Sequence, residues 1–220
     1  MLNFVLFLLF GVSVFALSLI GYKNYRSTAL YALAIGGVVN ANFFHAAAYP
    51  INCFGLSFGI DSIIYTLFAF CVMVMLLKEN KKSAYLLAFS SIIAILFSAA
   101  MQLFADLFSN GSSKNVWTIF VSFTVSAIAS VIAVAVAVET VSRLKNRLNQ
   151  YLCMAAGIAI ITLINSIIYH PLAILLNGAP VNISELLLTS AVGRFIALLY
   201  SVLMLYFINL TEKRIADKKS

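Results

Sequence analysis

Long apolar runs broken by short polar patches dominate this chain. Seven runs have spanning length, at roughly 2–21, 28–48, 55–77, 83–106, 116–141, 150–176 and 185–210. About 20 apolar residues carry a helix across the hydrocarbon core of a bilayer. A spanning strand would alternate apolar and polar positions over about ten residues. These runs are continuous and about twice that length. The pattern predicts an all-α polytopic membrane protein: a bundle of seven transmembrane helices in one domain over 1–220, with a short basic tail at 211–220. The loop between the first two of these runs is short, and so are the later ones. The first run lacks a basic leader and a small-residue cleavage site, so it reads as a retained helix.

The polar patches alternate in charge. Lys23 and Arg26 follow the first run; Lys78, Lys81 and Lys82 the third; Arg143, Lys145 and Arg147 the fifth; Lys213, Arg214, Lys218 and Lys219 the seventh. The other three loops, around "AAAYPINCFG", "LFSNGSSKN" and "LLNGAPVNIS", hold a single lysine and read as tight turns marked by Pro50, Gly55, Gly111, Gly178 and Pro180. Basic loops stay in the cytoplasm. The alternation predicts a multi-pass protein of the cell membrane, with its N-terminus outside and its C-terminus in the cytoplasm.

Composition agrees. Of 220 residues, 63% are hydrophobic and 10% charged, and the mean hydropathy is +1.05. A soluble domain of this size needs more polar surface. The net charge of +7 would suggest nucleic acid in a soluble protein, but here the basic residues sit in loops and no basic–aromatic interleaving points to a nucleic-acid partner. The partners implied are membrane lipid and a small-molecule substrate. Cys53, Cys71 and Cys153 show neither disulfide nor metal spacing.

Chemistry is therefore sought among polar residues inside the spans, where ionisable groups are costly and face a cavity or a partner. Arg194 lies about 14 Å below the outer end of the seventh run at 1.5 Å per residue, too deep to reach water easily. Two roles remain open for it, a structural tie to a carbonyl or hydroxyl and a ligand contact. Asn165, Thr66, Ser126 and Ser130 fall at similar depth, with Asn40 and Asn42 further out. Singly, such residues often glue helices together; jointly, with one cation, they suggest a polar midplane cavity. The outer half adds Asp61, Tyr65, His45, His170, Gln102 and Asp106. Asp61, at a helix start, also suits the helix dipole. His170-Pro171 predicts a kinked or broken helix. Two histidines and an aspartate lack ligand spacing, so no metal or cofactor is expected. Glu139 and Arg143 predict an i, i+4 ion pair. No nucleophile, phosphate loop or paired carboxylates appear, so no enzyme is expected.

The opening "MLNFVLFLLFGVSVFALSLIGYKNYRSTALYALAIGGVVNAN", with Ala41-Asn42 near the end of the second run, resembles that of seven-helix members of the vitamin-uptake transporter family, which includes queuosine-precursor transporters. "NSIIYHPLAIL" and "ELLLTSAVGRFIALLYSVLMLYF" resemble its sixth and seventh helices. The resemblance covers nearly the whole chain as hydropathy and scattered identities. It implies a six-helix transporter core plus an N-terminal helix and a substrate of the 7-deazapurine class. It also shows departures. The third-helix Thr-Asp-x-x-Ser-Glu of the family falls on Phe70, Cys71, Val74 and Met75, with Thr66 retained. Its fifth-helix Ser-Gln-x-x-Asp falls around Ala133, Val134 and Ala137. Its sixth-helix aspartate reads Asn165, and its seventh-helix lysine reads Arg194.

Three functions follow as expectations. The first is a transporter for a polar or anionic, nucleobase-like or vitamin-like compound, bound by Arg194, Asn165, Asn42, Thr66, Asp61, Ser130 and Tyr65, with Phe43 and Tyr169 available for stacking. The second is the substrate-binding component of an energy-coupling-factor importer, with ATPase and coupling subunits as partners. The third is a non-transporting membrane component of a signalling or defence system. A homodimer fits the first. A retinal protein is excluded, because 185–210 contains no lysine.

Overall fold

A computed structural model describes the backbone of residues 2–46, 50–53, 56–108, 113–177 and 183–217, and the side chains at 5–6, 8–40, 62–104, 108, 120–169, 171–172 and 194–214. Seven helices run in order: α1 (Leu2–Tyr25), α2 (Ser27–Ala46), α3 (Ile60–Lys78), α4 (Lys81–Phe108), α5 (Ser113–Leu144), α6 (Gln150–Asn177) and α7 (Ile183–Asp217). The chain is an all-α bundle of membrane type. Among the described residues five helices are long and apolar enough to cross a bilayer, and α2 and α3 are shorter apolar helices. Large apolar side chains such as Leu17, Phe89, Phe97, Leu163 and Phe195 stand exposed on the outside. Soluble monomers rarely show so much apolar surface; a lipid-facing wall requires it.

Helix ends follow local chemistry. Asn80 caps α4, its Oδ1 accepting from the Ser83 amide at 2.8 Å. Asn149 caps α6 in the same way, accepting from the Leu152 amide at 2.9 Å. Between α1 and α2 a single residue turns the chain: Arg26 takes φ 54°, the left-handed region that few side-chain-bearing residues adopt.

The arrangement is a ring around a hub. The helices α1, α2, α4, α5, α6 and α7 touch in that cyclic order, and all six touch α3. Every residue from 62 to 76 is buried. That explains the apolar character of this helix all round. Close approach needs small residues at the contacts. A Cβ on Gly157 of α6 would collide with the Met73 side chain of α3 and come within 3.2 Å of Val141.

Four expectations change. The third helix begins at Ile60 rather than 55, because residues 56–59 form a strand. β1 (Pro50–Cys53) pairs antiparallel with β2 (Leu56–Gly59), Pro50 opposite Gly59 and Cys53 opposite Leu56; proline is tolerated at a strand's first residue. This hairpin replaces the expected tight turn and touches α1 and α7. α6 continues as helix through Pro171, so the predicted break is absent. The tail expected from 211 is helical to Asp217. Cys71 and Cys153 are free and buried.

Filling the Gly157 contact tests the hub. Met73 is fully buried and cannot swing into lipid. Gly157→Val should therefore destabilise the bundle by about 1–3 kcal/mol, read as a lower melting temperature in detergent. An unchanged melting temperature would show that α6 does not pack on α3 this closely.

Candidate functional site

Polar side chains inside the bundle gather in two layers. The first surrounds Arg194. Its Nη1 donates to the Thr162 carbonyl of α6 at 2.8 Å. The structural-tie role weighed for this arginine is therefore realised. That carbonyl also accepts from the Ser166 hydroxyl at 2.9 Å. The Thr162 hydroxyl itself donates back along α6 to the Ile158 and Ala159 carbonyls. Asn165, three residues on and so near the same face of α6, is 6% exposed, and its Oδ1 has no hydrogen-bond partner among the described residues. A buried amide oxygen left unmade costs about 1–3 kcal/mol.

α3 and α5 complete this layer. The Tyr65 and Ser130 hydroxyls lie 3.0 Å apart, both buried. The Arg194 guanidinium acts electrostatically on the Tyr65 hydroxyl. Ser126 is buried one turn from Ser130, and Tyr169 packs on Val125 and Ala129. The structure thus brings Arg194, Asn165, Tyr65 and Ser130 together from four helices.

Other candidates fare differently. Thr66 is fully buried, but its hydroxyl donates to the Ser62 carbonyl within α3 at 2.8 Å. Asn40 is on the outer face of α2, its Nδ2 turned to the Gly36 carbonyl at 2.7 Å. Gln102 has a buried Oε1 without a partner among the described residues. Asn42 and Asp61 sit on α2 and α3, but their side chains, with those of Phe43, His45, Asp106 and His170, lie outside the described residues. Phe70, Cys71, Val74 and Met75, where the family resemblance sets polar and acidic residues, are all sealed in the hub at 0–1% exposure.

The second layer is at the basic end of the bundle, where the α1–α2, α3–α4 and α5–α6 turns lie. Glu212 of α7 is its centre. Its Oε2 meets Lys78 Nζ of α3 at 2.6 Å. Its Oε1 accepts from the Tyr22 hydroxyl of α1 at 2.9 Å and lies 3.7 Å from Arg26. Lys78 also donates to Asn209 Oδ1 at 2.5 Å, and Asn209 Nδ2 donates to the Tyr151 hydroxyl of α6 at 3.1 Å. One network therefore ties α1, α3, α6 and α7. Arg26 lies 5.6 Å from the Tyr22 ring centroid, so the network also holds the left-handed residue of the first turn.

Sequence reading missed this layer. Lys78 counted only as a topological charge, and Glu212 sat unnoticed in the basic stretch "TEKR". The expected Glu139–Arg143 pair is replaced as well. Glu139 instead meets Lys81 at 2.5 Å and accepts from the Tyr85 hydroxyl at 3.1 Å, both from α4. A helix neighbour is displaced because α4 packs directly on α5.

Tyr151, Lys78 and Asn209 stand at one level. Counting from them to Asn165, Tyr65 and Arg194 gives about 20 Å along each helix. Met73, Leu76, Met154, Ile158 and Leu205, all buried, fill the interval. Two polar layers are thus separated by a mostly apolar plug, within which the buried Ser201 turns its hydroxyl back to the Ala197 carbonyl of its own helix.

A double-mutant cycle on Lys78→Met and Glu212→Gln tests the second layer. The side chains are 17% and 32% exposed, so they are partly shielded from solvent. A coupling energy of about 0.5–3 kcal/mol in thermal unfolding is expected; additive effects would reduce the pair to an ordinary surface contact. No family model matches the chain, and no curated protein or solved structure matches it either.

Proposed function

We propose that the chain is a membrane transporter for a small polar compound, nucleobase-like or vitamin-like, as its resemblance to the vitamin-uptake transporters implies. The observation that carries this reading is Asn165. Its orphaned, buried Oδ1 stands on α6 near the Thr162 carbonyl that anchors Arg194. A ligand that donates a hydrogen bond to the amide oxygen and accepts from the guanidinium engages both. Small-molecule sites are built in this way, from a few convergent polar groups in an apolar bundle.

The two-layer arrangement suits alternating access. The basic end faces the cytoplasm in this reading. The Lys78–Glu212 network closes that end, and the Arg194 layer is the site. Opening toward the cytoplasm requires the network to part and the apolar plug to rearrange, a rigid-body movement of helices about a fixed site. No catalytic step is involved.

A second reading has an observation of its own. Thr28, Ala32 and Gly36 lie on one outward face of α2, and a Cβ on Gly36 would meet nothing within 4 Å. Small residues let another helix approach closely. That face suits a coupling subunit of an ATP-driven importer.

Thermal-shift screening against nucleobases, deazapurines and vitamins identifies the ligand, since binding to the folded state raises the melting temperature. Uptake of that ligand into liposomes then tests the site. Arg194→Leu should cut uptake by about tenfold or more, consistent with loss of a charged hydrogen bond, while the protein still elutes as a folded species. Unchanged uptake would remove Arg194 from the site. Uptake in liposomes lacking ATP supports the first reading; uptake that appears only with ATPase subunits supports the second.

A further inference from the structure

The outer face of α5 at the basic end carries an open groove of about 520 Å3, lined by Ala135, Val136, Glu139, Thr140, Arg143 and Leu144. Two features of it are chemically informative. First, its carboxylate is already engaged: Glu139 is drawn toward α4 by Lys81 and Tyr85. Arg143, one turn along, is exposed and has no ion-pair partner among the described residues. With Glu139 balanced by Lys81, the groove keeps the positive charge of Arg143, and the exposed Lys145 and Arg147 stand just beyond it. Second, the apolar lining continues. Ile128, Val131, Ile132 and Val136 are exposed along α5, away from the basic end.

The spacing matches one leaflet of a bilayer. Arg143 and Val136 are separated by about 10 Å along the helix. The headgroup region on each side of the hydrocarbon core is about 5–8 Å thick. An arginine at headgroup level therefore places Val136 and Ile132 at the level of acyl chains, with Thr140 between them at the polar boundary.

We propose that this α5 groove binds one anionic phospholipid, with Arg143 on the headgroup phosphate and an acyl chain along Val136 and Ile132. A guanidinium suits a phosphate because it offers two parallel N–H donors. A net positive groove selects a lipid of net negative charge over a zwitterionic one. Free phosphate has no use for the apolar half of the groove, so the occupant is the lipid. The assignment is independent of what the protein transports.

The full-length protein in detergent is titrated with phosphatidylglycerol, with phosphatidylcholine and with inorganic phosphate, and bound lipid is counted by native mass spectrometry. The wild type should retain phosphatidylglycerol in preference to phosphatidylcholine. Arg143→Gln should weaken that retention by about fivefold, the loss of one basic contact at an anionic headgroup. Arg147→Gln, outside the groove, should leave it unchanged. Val136→Trp, which fills the apolar half at an exposed position, should weaken retention of either lipid. Equal retention of the two lipids would overturn the proposal. So would equal losses in Arg143→Gln and Arg147→Gln, which would mean diffuse attraction rather than a site. Suppression by millimolar inorganic phosphate as strong as that by added lipid would overturn it too.

Discussion

The enclosure of α3 is the constraint on which the rest depends. Six helices surround it, and it presents no face to lipid or water from 62 to 76. In a membrane nothing outside the protein satisfies a polar group at that depth. Each polar atom on the hub must therefore find its partner on a neighbouring helix or within its own backbone. Thr66 takes the second route through Ser62, and Tyr65 takes the first through Ser130. Lys78 escapes only at the end of the helix, where it meets α7.

The enclosure also leaves little room for charge at the hub positions that a resemblance to the vitamin-uptake pattern would make acidic. Acidic groups at Cys71 or Met75 would sit at zero to 1% exposure among Met73, Val74 and Leu76. Burying an ionised carboxylate costs several kcal/mol unless a cation is brought to it. Here the cation inside the bundle, the half-buried Arg194, engages an α6 carbonyl. The apolar residues Cys71, Val74 and Met75 let the hub pack tightly. Polar side chains from α5, α6 and α7 instead meet around one end of α3, in the layer that holds Arg194, Asn165 and Ser130.

Charge at the other end of the bundle also ties helices together. Lys78, Arg26 and Glu212 are part of an interhelical tie, whereas Lys81 neutralises Glu139 and so leaves Arg143 exposed. Basic residues at this end thus stand in three different settings. They differ because α7 packs against α1 and α3, whereas α4 packs against α5.

The sequence by itself determined the membrane class, the number of helices and the side on which basic residues collect. These follow from run length and composition, which are local properties of the chain. It also singled out Arg194, Asn165, Tyr65 and Ser130, because a polar residue deep in an apolar run is visible without any partner. Only the tertiary structure decided which helix is the hub, that Thr66 and Asn40 turn back on their own helices, and that Glu139 prefers Lys81 to Arg143. It alone revealed the tie between Lys78 and Glu212, which are 134 positions apart. Apolar helices in lipid look alike to a periodicity reading, since their outer faces are as apolar as their inner ones. Which faces meet depends on small contacts such as Gly157 against Met73, and these exist only once the helices are assembled.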